Sequence, residues 1–384
     1  MDFEFAAAVR IIFAPGSLNK ISPLAADLGD RALVVMGSQP ARGKVLLKLL
    51  STAEVRTTPF SVSGEPTVDV VQEGLELARR ESCNLVVGFG GGSVVDTAKA
   101  IAILLTNPGE VSDYLEVVGR GHAFTHPSLP CIAIPTTAGT GAEVTRNAVI
   151  GVPAHRVKVS LRSPLMLPRL ALVDPELTYS LPPEITASSG LDALTQLVEP
   201  YVSRRANPLT GALCREGMQR VSGSLLRAYL EPADDLARQD MSLASLFGGL
   251  ALANAGLGTV HGFAGVLGGM FPAPHGAICA RLLPFIVEAN VRALQQRQPE
   301  SPVLESYREI ACFLTGDANS NITQGIAWIQ ELCFTLKVPP LSDYGLSPED
   351  FPQVVEKTAL ASSTRANPIE LSPEELYEVL SAAF

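Results

Sequence analysis

The chain has 384 residues, more than one compact core usually holds, so we expect two domains. Hydrophobic residues make up 47% and charged residues 18% of the sequence, which excludes an intrinsically disordered protein. Acidic side chains outnumber basic ones by 39 to 29, and the formal net charge of −10 argues against nucleic acid as a partner.

The first half of the chain alternates strand-like and helix-like segments. Apolar runs rich in β-branched residues predict strands at 31–36, 85–89, 131–134 and 170–173, with two more between 147 and 161. Apolar residues at helical spacing predict helices at 68–80 and 94–105. This alternation indicates an α/β domain whose parallel sheet is covered on both faces.

The second half has a different character. No strand pattern follows Leu181-Pro182-Pro183, and helical segments run to the end of the sequence. Two late helices are predicted after Ser347 and Ser372, because each serine can cap a helix whose first position is proline. The boundary falls between Asp174 and Pro183, and we expect an α/β domain over 1–178 and an all-helical domain over 179–384.

Two loops rich in glycine and hydroxyl side chains each follow a predicted strand. They are GGGSVVDTAK at 90–99 and PTTAGTGAEVT at 135–145. Glycines let a phosphate approach the backbone, and the N–H groups of a following helix can bind it. One such loop alone could be a tight turn without a ligand. Two of them, at strand ends that meet at one edge of a parallel sheet, favour a dinucleotide pyrophosphate site.

The strand at 31–36 ends in Gly37 and Ser38, with no acidic residue. In dinucleotide-binding folds a carboxylate here holds the ribose 2′-hydroxyl and repels a 2′-phosphate. Arg42 and Lys44 follow instead, so the sequence indicates that NADP is accepted as well as NAD. The alternative is an ordinary solvated loop before a basic helix start.

Four polar residues of the second half form a candidate metal site. Asp192 and Gln196 are four residues apart and share one helix face, and His261 and His275 lie in a later glycine-rich stretch. A carboxylate and two imidazoles would leave an open coordination position, as a catalytic divalent metal requires. Taken singly, the aspartate could be a paired carboxylate and either histidine a hydrogen-bonded core residue.

The six cysteines are scattered and form no C-x-x-C pair, which is typical of buried free thiols in a reducing compartment; they are Cys83, Cys131, Cys214, Cys279, Cys312 and Cys333. The sequence begins without a basic segment ahead of an apolar core, so we expect no secretion signal. No apolar run approaches the roughly 18–20 residues that span a bilayer. We therefore expect a cytoplasmic protein without a membrane partner.

Together these motifs resemble the iron-containing (group III) alcohol dehydrogenase family over essentially the whole chain. The matching segments are the two loops, Lys158 in RVKVS, LVDPEL at 172–177, GLDALT at 190–195, the 261–275 stretch and Asn367-Pro368. The resemblance implies a Rossmann-like N-terminal domain, an all-helical C-terminal domain and a cleft between them. It also implies an NAD- or NADP-dependent oxidoreductase of a small alcohol or aldehyde, most often a dimer.

Roles can be carried over residue by residue. The pyrophosphate would be held by Gly91, Gly92 and Ser93, near Gly37 and Ser38 at the earlier strand end. Thr136, Thr137 and Thr140 would line the coenzyme, Lys158 would reach its ribose or phosphate, and Asp96 would lie near the nicotinamide. The metal, Fe²⁺ or Zn²⁺, would be held by Asp192, Gln196, His261 and His275, and the catalytic role of the aspartate and the histidines would be exerted through it.

Two departures from the family stand in the metal region. The family usually has histidine where this chain has Gln196, and an amide oxygen is a poorer ligand for Fe²⁺ or Zn²⁺ than imidazole. It usually has a second histidine at the position of Gly265, which removes a proton-relay candidate. The related glycerol dehydrogenases manage with Asp-His-His and zinc. Small residues at Gly262, Ala264 and Gly265 suggest room near the metal.

The expected mechanism is hydride transfer to or from the nicotinamide, with the metal polarising the substrate oxygen. Three alternatives stay open. One is a metal-independent reductase of the maleylacetate reductase type, and another is a non-catalytic dinucleotide-binding relative. The third, a lyase resembling dehydroquinate synthase, would need a cluster of basic residues that the helical half does not show.

Overall fold

The computed structural model describes residues 2–384, apart from the side chain of Pro40. The described chain divides into two compact units, one helical and one α/β. The α/β unit comprises Ala6–Thr137 and Gly141–Thr178. The helical unit comprises Tyr179–Phe384, the short segment Ala138–Thr140 and a few residues at the start of the chain.

The eight strands are β1 (Ile11–Phe13), β2 (Arg31–Gly37), β3 (Arg56–Val62), β4 (Leu85–Gly90), β5 (Cys131–Pro135), β6 (Asn147–Val152), β7 (Val157–Arg162) and β8 (Leu170–Val173). The helices of the α/β unit are α1 (Ile21–Ala26), α2 (Pro40–Thr52), α3 (Val68–Arg80), α4 (Gly92–Leu104) and α5 (Val111–Tyr114).

Six strands form one parallel sheet in the order β1-β8-β5-β4-β2-β3, and β6 and β7 form an antiparallel hairpin. Every residue of β4 and β5 is buried, as expected for central strands covered on both faces. Apolar cores lie on both sides of the sheet. The predicted α/β architecture is confirmed.

Two strands have no counterpart in the sequence prediction, and both are edge strands. β1 is only three residues long, and β3 contains Pro59 and several half-exposed polar residues. Proline and alternating exposure are tolerated at a sheet edge, where one side of the backbone needs no partner. These strands therefore lack the apolar signal that identifies a central strand, and the 31–36 segment is the second strand of the chain.

The helical unit contains α6 (Pro183–Val202), α7 (Pro208–Leu230), α8 (Asp235–Ala255), α9 (Thr259–Met270), α10 (His275–Arg297), α11 (Val303–Thr315), α12 (Ile322–Thr335), α13 (Phe351–Leu360) and α14 (Pro373–Ala383). One apolar core runs through them. No strand follows Pro183 in the described chain, as predicted.

Both predicted serine caps are present. Ser372 caps α14, where its hydroxyl accepts from the N–H of Glu375 and its own N–H donates to the Glu375 carboxylate. Ser347 forms a capping box with Asp350, and one 3₁₀ turn precedes α13.

No single helix in residues 2–384 has the length and apolar character to cross a bilayer. Helices α8 and α9 combine sufficient length and apolar character only as a pair, and the chain bends by 99° between them.

Candidate active site

Three helices of the helical unit bring the predicted ligands together. Asp192 lies in the middle of α6, His261 in the first turn of α9 and His275 at the first residue of α10. The Oδ1 atom of Asp192 lies 3.4 Å from Nε2 of His261 and 3.8 Å from Nε2 of His275. Residues separated by up to 83 positions in the sequence therefore converge on one carboxylate oxygen.

Gly276 permits this convergence because α10 begins against the backbone of α6. A Cβ atom at Gly276 would lie 2.3 Å from the carbonyl oxygen of Ser188 and 3.4 Å from Cβ of Asp192. A backbone atom cannot move aside as a side chain can. Glycine therefore lets the residue before it, His275, reach Asp192.

Glu199 orients the first histidine. Its Oε2 lies 2.6 Å from Nδ1 of His261, and its Oε1 accepts a 2.7 Å hydrogen bond from the N–H of Val260. Nδ1 therefore carries a proton, and Nε2 is the ring nitrogen that faces Asp192. A carboxylate that fixes the tautomer of a histidine ligand is a common second partner at metal sites. Sequence reasoning assigned Glu199 no role, although it lies seven residues, about two helical turns, after Asp192.

Cys279 joins the same group of side chains. Its Sγ lies 3.8 Å from Nε2 of His261 and 3.7 Å from Nε2 of His275. Candidate ligand atoms of Asp192, His261, His275 and Cys279 all lie within 4.8 Å of one another. The scattered cysteine pattern predicted only an ordinary buried thiol at this position. The spacing His275-x-x-x-Cys279, one helical turn, was the signal that could have identified it.

The cluster is buried and stabilises positive charge. Burial raises the pKa of the Asp192 carboxyl, but contacts with the two histidines more than offset this, so its pKa is lowered overall. Burial lowers the pKa of His261, and the charges of Cys279, Glu199 and Asp192 reverse that effect and raise it well above its ordinary value. Acidic and soft donors thus surround both imidazoles.

Two buried oxygens of the cluster have no hydrogen-bond partner. They are Oδ1 of Asp192, a residue that is 2% exposed, and Oε1 of Gln196, which is fully buried. An unpaired carboxylate oxygen in an apolar interior is strongly unfavourable unless a cation faces it. A carboxylate and two imidazole nitrogens are ordinary donors for Fe²⁺ or Zn²⁺. The residues therefore fit a divalent metal.

The loop between β5 and β6 contributes to this cluster as well as to the sheet edge. The hydroxyl of Thr140 lies 3.4 Å from Oδ2 of Asp192, and the amide of Gln196 donates to the carbonyl of Gly139 at 3.3 Å. The sequence grouped Thr140 with Thr136 and Thr137 along the coenzyme. In the structure Thr140 belongs to the helical unit and contacts the candidate metal ligand.

The glycine-rich loop lies within the α/β unit. β4 ends at Gly90, which pairs with Pro135 at the end of β5, so the two loops start side by side. The N–H of Thr136 donates to the carbonyl of Gly90, and a Cβ at Gly91 would lie 3.4 Å from the side chain of Thr137. The structure thus brings the predicted glycine loop and the first part of the threonine loop to one edge of the sheet.

Helix α4 begins at Gly92, two residues earlier than predicted, and Ser93 lies in its first turn. Gly91 precedes it in extended conformation, at φ −71° and ψ −175°. The low helix propensity of glycine hid this start in the sequence. The first N–H groups of α4 therefore lie directly after the glycine loop, where an anion can be bound.

Asp96 and Lys158, predicted to bind the coenzyme, and Arg42, which follows the β2 strand end, each bond to another residue of the protein. Asp96, 8% exposed, pairs with Lys99 at 2.9 Å and accepts from the N–H of Val149. Lys158 pairs with Glu65 at 3.2 Å. The guanidinium of Arg42 donates to the carbonyl of Leu177. Gly37 ends β2 with nothing within 4 Å of a Cβ built there, and Ser38 follows it.

The small residues after His261 differ in what surrounds them. A Cβ at Gly262 would lie 2.1 Å from the hydroxyl of Thr364, and Ala264 is fully buried, so both are packing positions. A Cβ at Gly265 would meet nothing within 4 Å. The free space expected near the histidine is therefore found at Gly265, one turn beyond His261, and not at the other two.

Two family models match this chain, one over most of each unit. The sequence model of the iron-containing alcohol dehydrogenases matches residues 8–175, and the C-terminal model of the Fe-containing alcohol dehydrogenase family matches residues 186–384. Alcohol dehydrogenase 4 of Schizosaccharomyces pombe is 38% identical over 84% of this chain and 74% of its own length. The 1,3-propanediol dehydrogenase of Klebsiella pneumoniae is 32% identical over 100% of this chain and 99% of its own.

A solved structure of a 1,3-propanediol oxidoreductase superposes with a TM-score of 0.93 at 31% identity, covering 100% of both chains. The family likeness therefore extends over both units. The chain belongs to the iron-containing alcohol dehydrogenase family and is a nicotinamide-dependent oxidoreductase of alcohols and aldehydes.

Proposed function

We propose that this enzyme interconverts a small primary alcohol and its aldehyde at a divalent metal centre built on Asp192, His261 and His275, with Gln196 beside them. The observation that supports it most directly is the buried Oδ1 of Asp192, which has no hydrogen-bond partner and faces both imidazoles. When bound, the metal supplies Lewis-acid polarisation of a carbonyl and the nicotinamide supplies or accepts hydride.

The protein side chains prepare this chemistry in three ways. Glu199 holds His261 in one tautomer, so that Nε2 faces the cluster. Burial of Asp192 and His261 excludes water, which strengthens every electrostatic interaction there. The side chain of His275 is 32% exposed, against 3% for Asp192, so a substrate reaches the cluster past His275. The space at Gly265 accommodates a small substrate.

The coenzyme site that we propose lies in the α/β unit. Gly91, Gly92 and Ser93 present the start of α4 to the pyrophosphate, and Thr136 and Thr137 lie along the adjacent loop. Gly37 and Ser38 at the end of β2 would receive the adenosine ribose. Lys158 would reach a ribose or phosphate oxygen, and Asp96, which is paired with Lys99, would lie near the nicotinamide. These two roles are carried over from the family resemblance.

We propose that NADPH is accepted alongside NADH, because no carboxylate follows β2 to repel a 2′-phosphate. Replacing Ser38 with aspartate should then lower kcat/KM for NADPH while leaving that for NADH largely unchanged. Equal losses with both coenzymes would contradict this assignment. Two further proposals are a cytoplasmic location and a homodimer. Cell fractionation would test the location. Analytical ultracentrifugation of the purified protein at working concentration would test the oligomeric state.

The test of the metal centre is the variant His261→Ala, assayed with 1,3-propanediol, ethanol and the matching aldehydes. Metal content and kcat should fall together, the latter by about 10²-fold or more, because the charge-stabilising group is lost. His155→Ala removes an exposed histidine and should change neither quantity. Normal turnover in metal-free His261→Ala would favour the metal-independent reductase alternative. No coenzyme oxidation with any substrate would favour the non-catalytic one.

A further inference from the structure

We infer that the thiolate of Cys279 is the fourth protein ligand of the metal centre, and that the resulting oxygen, nitrogen, nitrogen and sulfur donor set selects zinc. The inference rests on the metal centre of the proposed function. It adds a ligand and a metal identity to that centre.

The distances support a four-ligand arrangement. In a tetrahedral zinc site with bonds of about 2.0–2.3 Å, neighbouring nitrogen and oxygen ligands are about 3.3 Å apart, and sulfur and nitrogen about 3.6 Å apart. Oδ1 of Asp192 lies 3.4 and 3.8 Å from the two histidine nitrogens. Sγ of Cys279 lies 3.8 and 3.7 Å from the same nitrogens. These four donor pairs lie within about 0.5 Å of the tetrahedral spacing, and all four donor atoms lie within 4.8 Å of one another.

A second observation shows that the group is built for a cation. The orphan Oδ1 of Asp192 belongs to a residue only 2% exposed. Glu199 accepts a hydrogen bond from Nδ1–H of His261, so Nε2 is the ring nitrogen that faces that oxygen. A buried carboxylate oxygen and an imidazole nitrogen at this distance need a positive charge between them, which either a proton or a metal ion can supply. Cys279 is the one soft donor of this group.

The chemical types of the four ligand atoms determine which metal ion the centre prefers. A thiolate favours zinc over the harder oxygen-preferring ions, and neutral Gln196 adds only a weak amide oxygen. Zinc has no geometric preference of its own and can expand from four ligands to five. A thiolate ligand is therefore compatible with a catalytic role for the centre.

The first experiment loads the chelated full-length protein with Co²⁺ alone as a spectroscopic probe. A cobalt–thiolate bond produces a charge-transfer band in the near ultraviolet, and we expect this band in the wild type. It should disappear in Cys279→Ser. It should persist in Cys214→Ser, a matched change of another buried cysteine of the same helical core. A wild type that binds Co²⁺ without the band would overturn the inference.

The second experiment measures the zinc protein by X-ray absorption and by competition. One sulfur neighbour at about 2.3 Å is expected, and Cys279→Ser should bind zinc at least ~10-fold more weakly. After anaerobic loading with equal Fe²⁺ and Zn²⁺, the wild type should hold zinc, and Cys279→Ser should shift towards iron. An unchanged iron-to-zinc ratio would overturn the selection of zinc.

These measurements test the metal centre and the Cys279 ligand separately. A protein that binds neither cobalt nor zinc stoichiometrically overturns the proposed metal centre and this ligand together. A protein that binds one metal ion through nitrogen and oxygen donors alone overturns only the role of Cys279. Both are decided without measuring turnover.

Discussion

At the scale of single residues, the candidate metal site depends on a contact outside the ligands themselves. One carboxylate oxygen of Glu199 accepts from the N–H of Val260 at 2.7 Å, and the other lies 2.6 Å from Nδ1 of His261. The carboxylate therefore holds the start of α9 and the ring of His261 against α6. A partner of this kind sets both the tautomer and the basicity of a histidine ligand.

We expect Glu199→Gln to weaken metal binding by about 10- to 100-fold while the protein stays folded. Metal affinity measured by competition with a chelator, together with circular dichroism, checks both parts. The control Glu309→Gln alters a carboxylate that accepts from Tyr201 at 2.6 Å in the same helical unit, away from the ligands. Equal affinity in Glu199→Gln and wild type would show that the contact is structural only.

The buried carboxyl group of Glu143 should make the free energy of unfolding depend on pH. Burial raises the pKa of Glu143 from 4.5 to about 7, and the residue is only 2% exposed. The folded state therefore favours the neutral acid, whereas the unfolded chain ionises above 4.5. Stability is lost as pH rises from 4.5 to about 7, by about 3 kcal/mol in total.

Glu143→Gln should remove this dependence, because an amide stays neutral in both states. Its free energy of unfolding should exceed that of the wild type at pH 8, and the two should approach each other near pH 5. Urea titrations across this range measure both. Exposed Glu73→Gln should follow the wild-type curve. A parallel curve for Glu143→Gln would disprove the assignment.

At the scale of elements, the site depends on how closely α10 approaches α6. The sequence predicts helical segments in this half of the chain, but it says nothing about the distance between them. Gly276 sets that distance, since an added Cβ would lie 2.3 Å from the backbone oxygen of Ser188. The first residue of α10, His275, owes its position beside Asp192 to this packing.

Gly276→Ala should therefore destabilise the protein by about 1–3 kcal/mol and weaken metal binding, because backbone has to shift to relieve the overlap. Gly223→Ala is the matched control. Gly223 is exposed within α7 and has nothing within 4 Å of an added Cβ, so alanine there should stabilise by about 0.5–1 kcal/mol. Thermal unfolding and chelator competition measure both variants. Full metal affinity in Gly276→Ala would show that the approach is not limiting.

The boundaries of the strands and helices show which elements sequence patterns can predict. The central strands β2, β4, β5 and β8 and the helix α3 were predicted almost to the residue, because fully buried strands and amphipathic helices carry strong apolar signals. The edge strands β1 and β3 carry no such signal. Helix α4 was predicted two residues late, because its glycine start resembles a loop.

At the scale of the whole molecule, the two candidate sites lie in different compact units, with the coenzyme loops in one and the metal ligands in the other. Each unit has its own apolar core. Ligands that bind only the native state should therefore protect different segments of the chain.

Hydrogen exchange tests this separation. Saturating NAD(H) should slow exchange at 90–97 and 135–137, whereas adding metal to chelated protein should slow exchange at 192–199, 259–263 and 275–279. His261→Ala should lose the metal footprint and keep the coenzyme footprint. Absence of any coenzyme footprint would overturn the proposed dinucleotide site.

The sequence by itself determined the alternation of strands and helices, the two loops at neighbouring strand ends, and three residues of the metal cluster. These features are local or periodic, and each follows from the preferences of a short segment. Only the tertiary structure showed that Cys279 lies against both histidines, that Thr140 lies beside Asp192 and that Glu199 pairs with His261. Apart from the one-turn spacing of His275 and Cys279, these contacts join positions 18 to 62 residues apart, and their distances are set by how helices and loops pack.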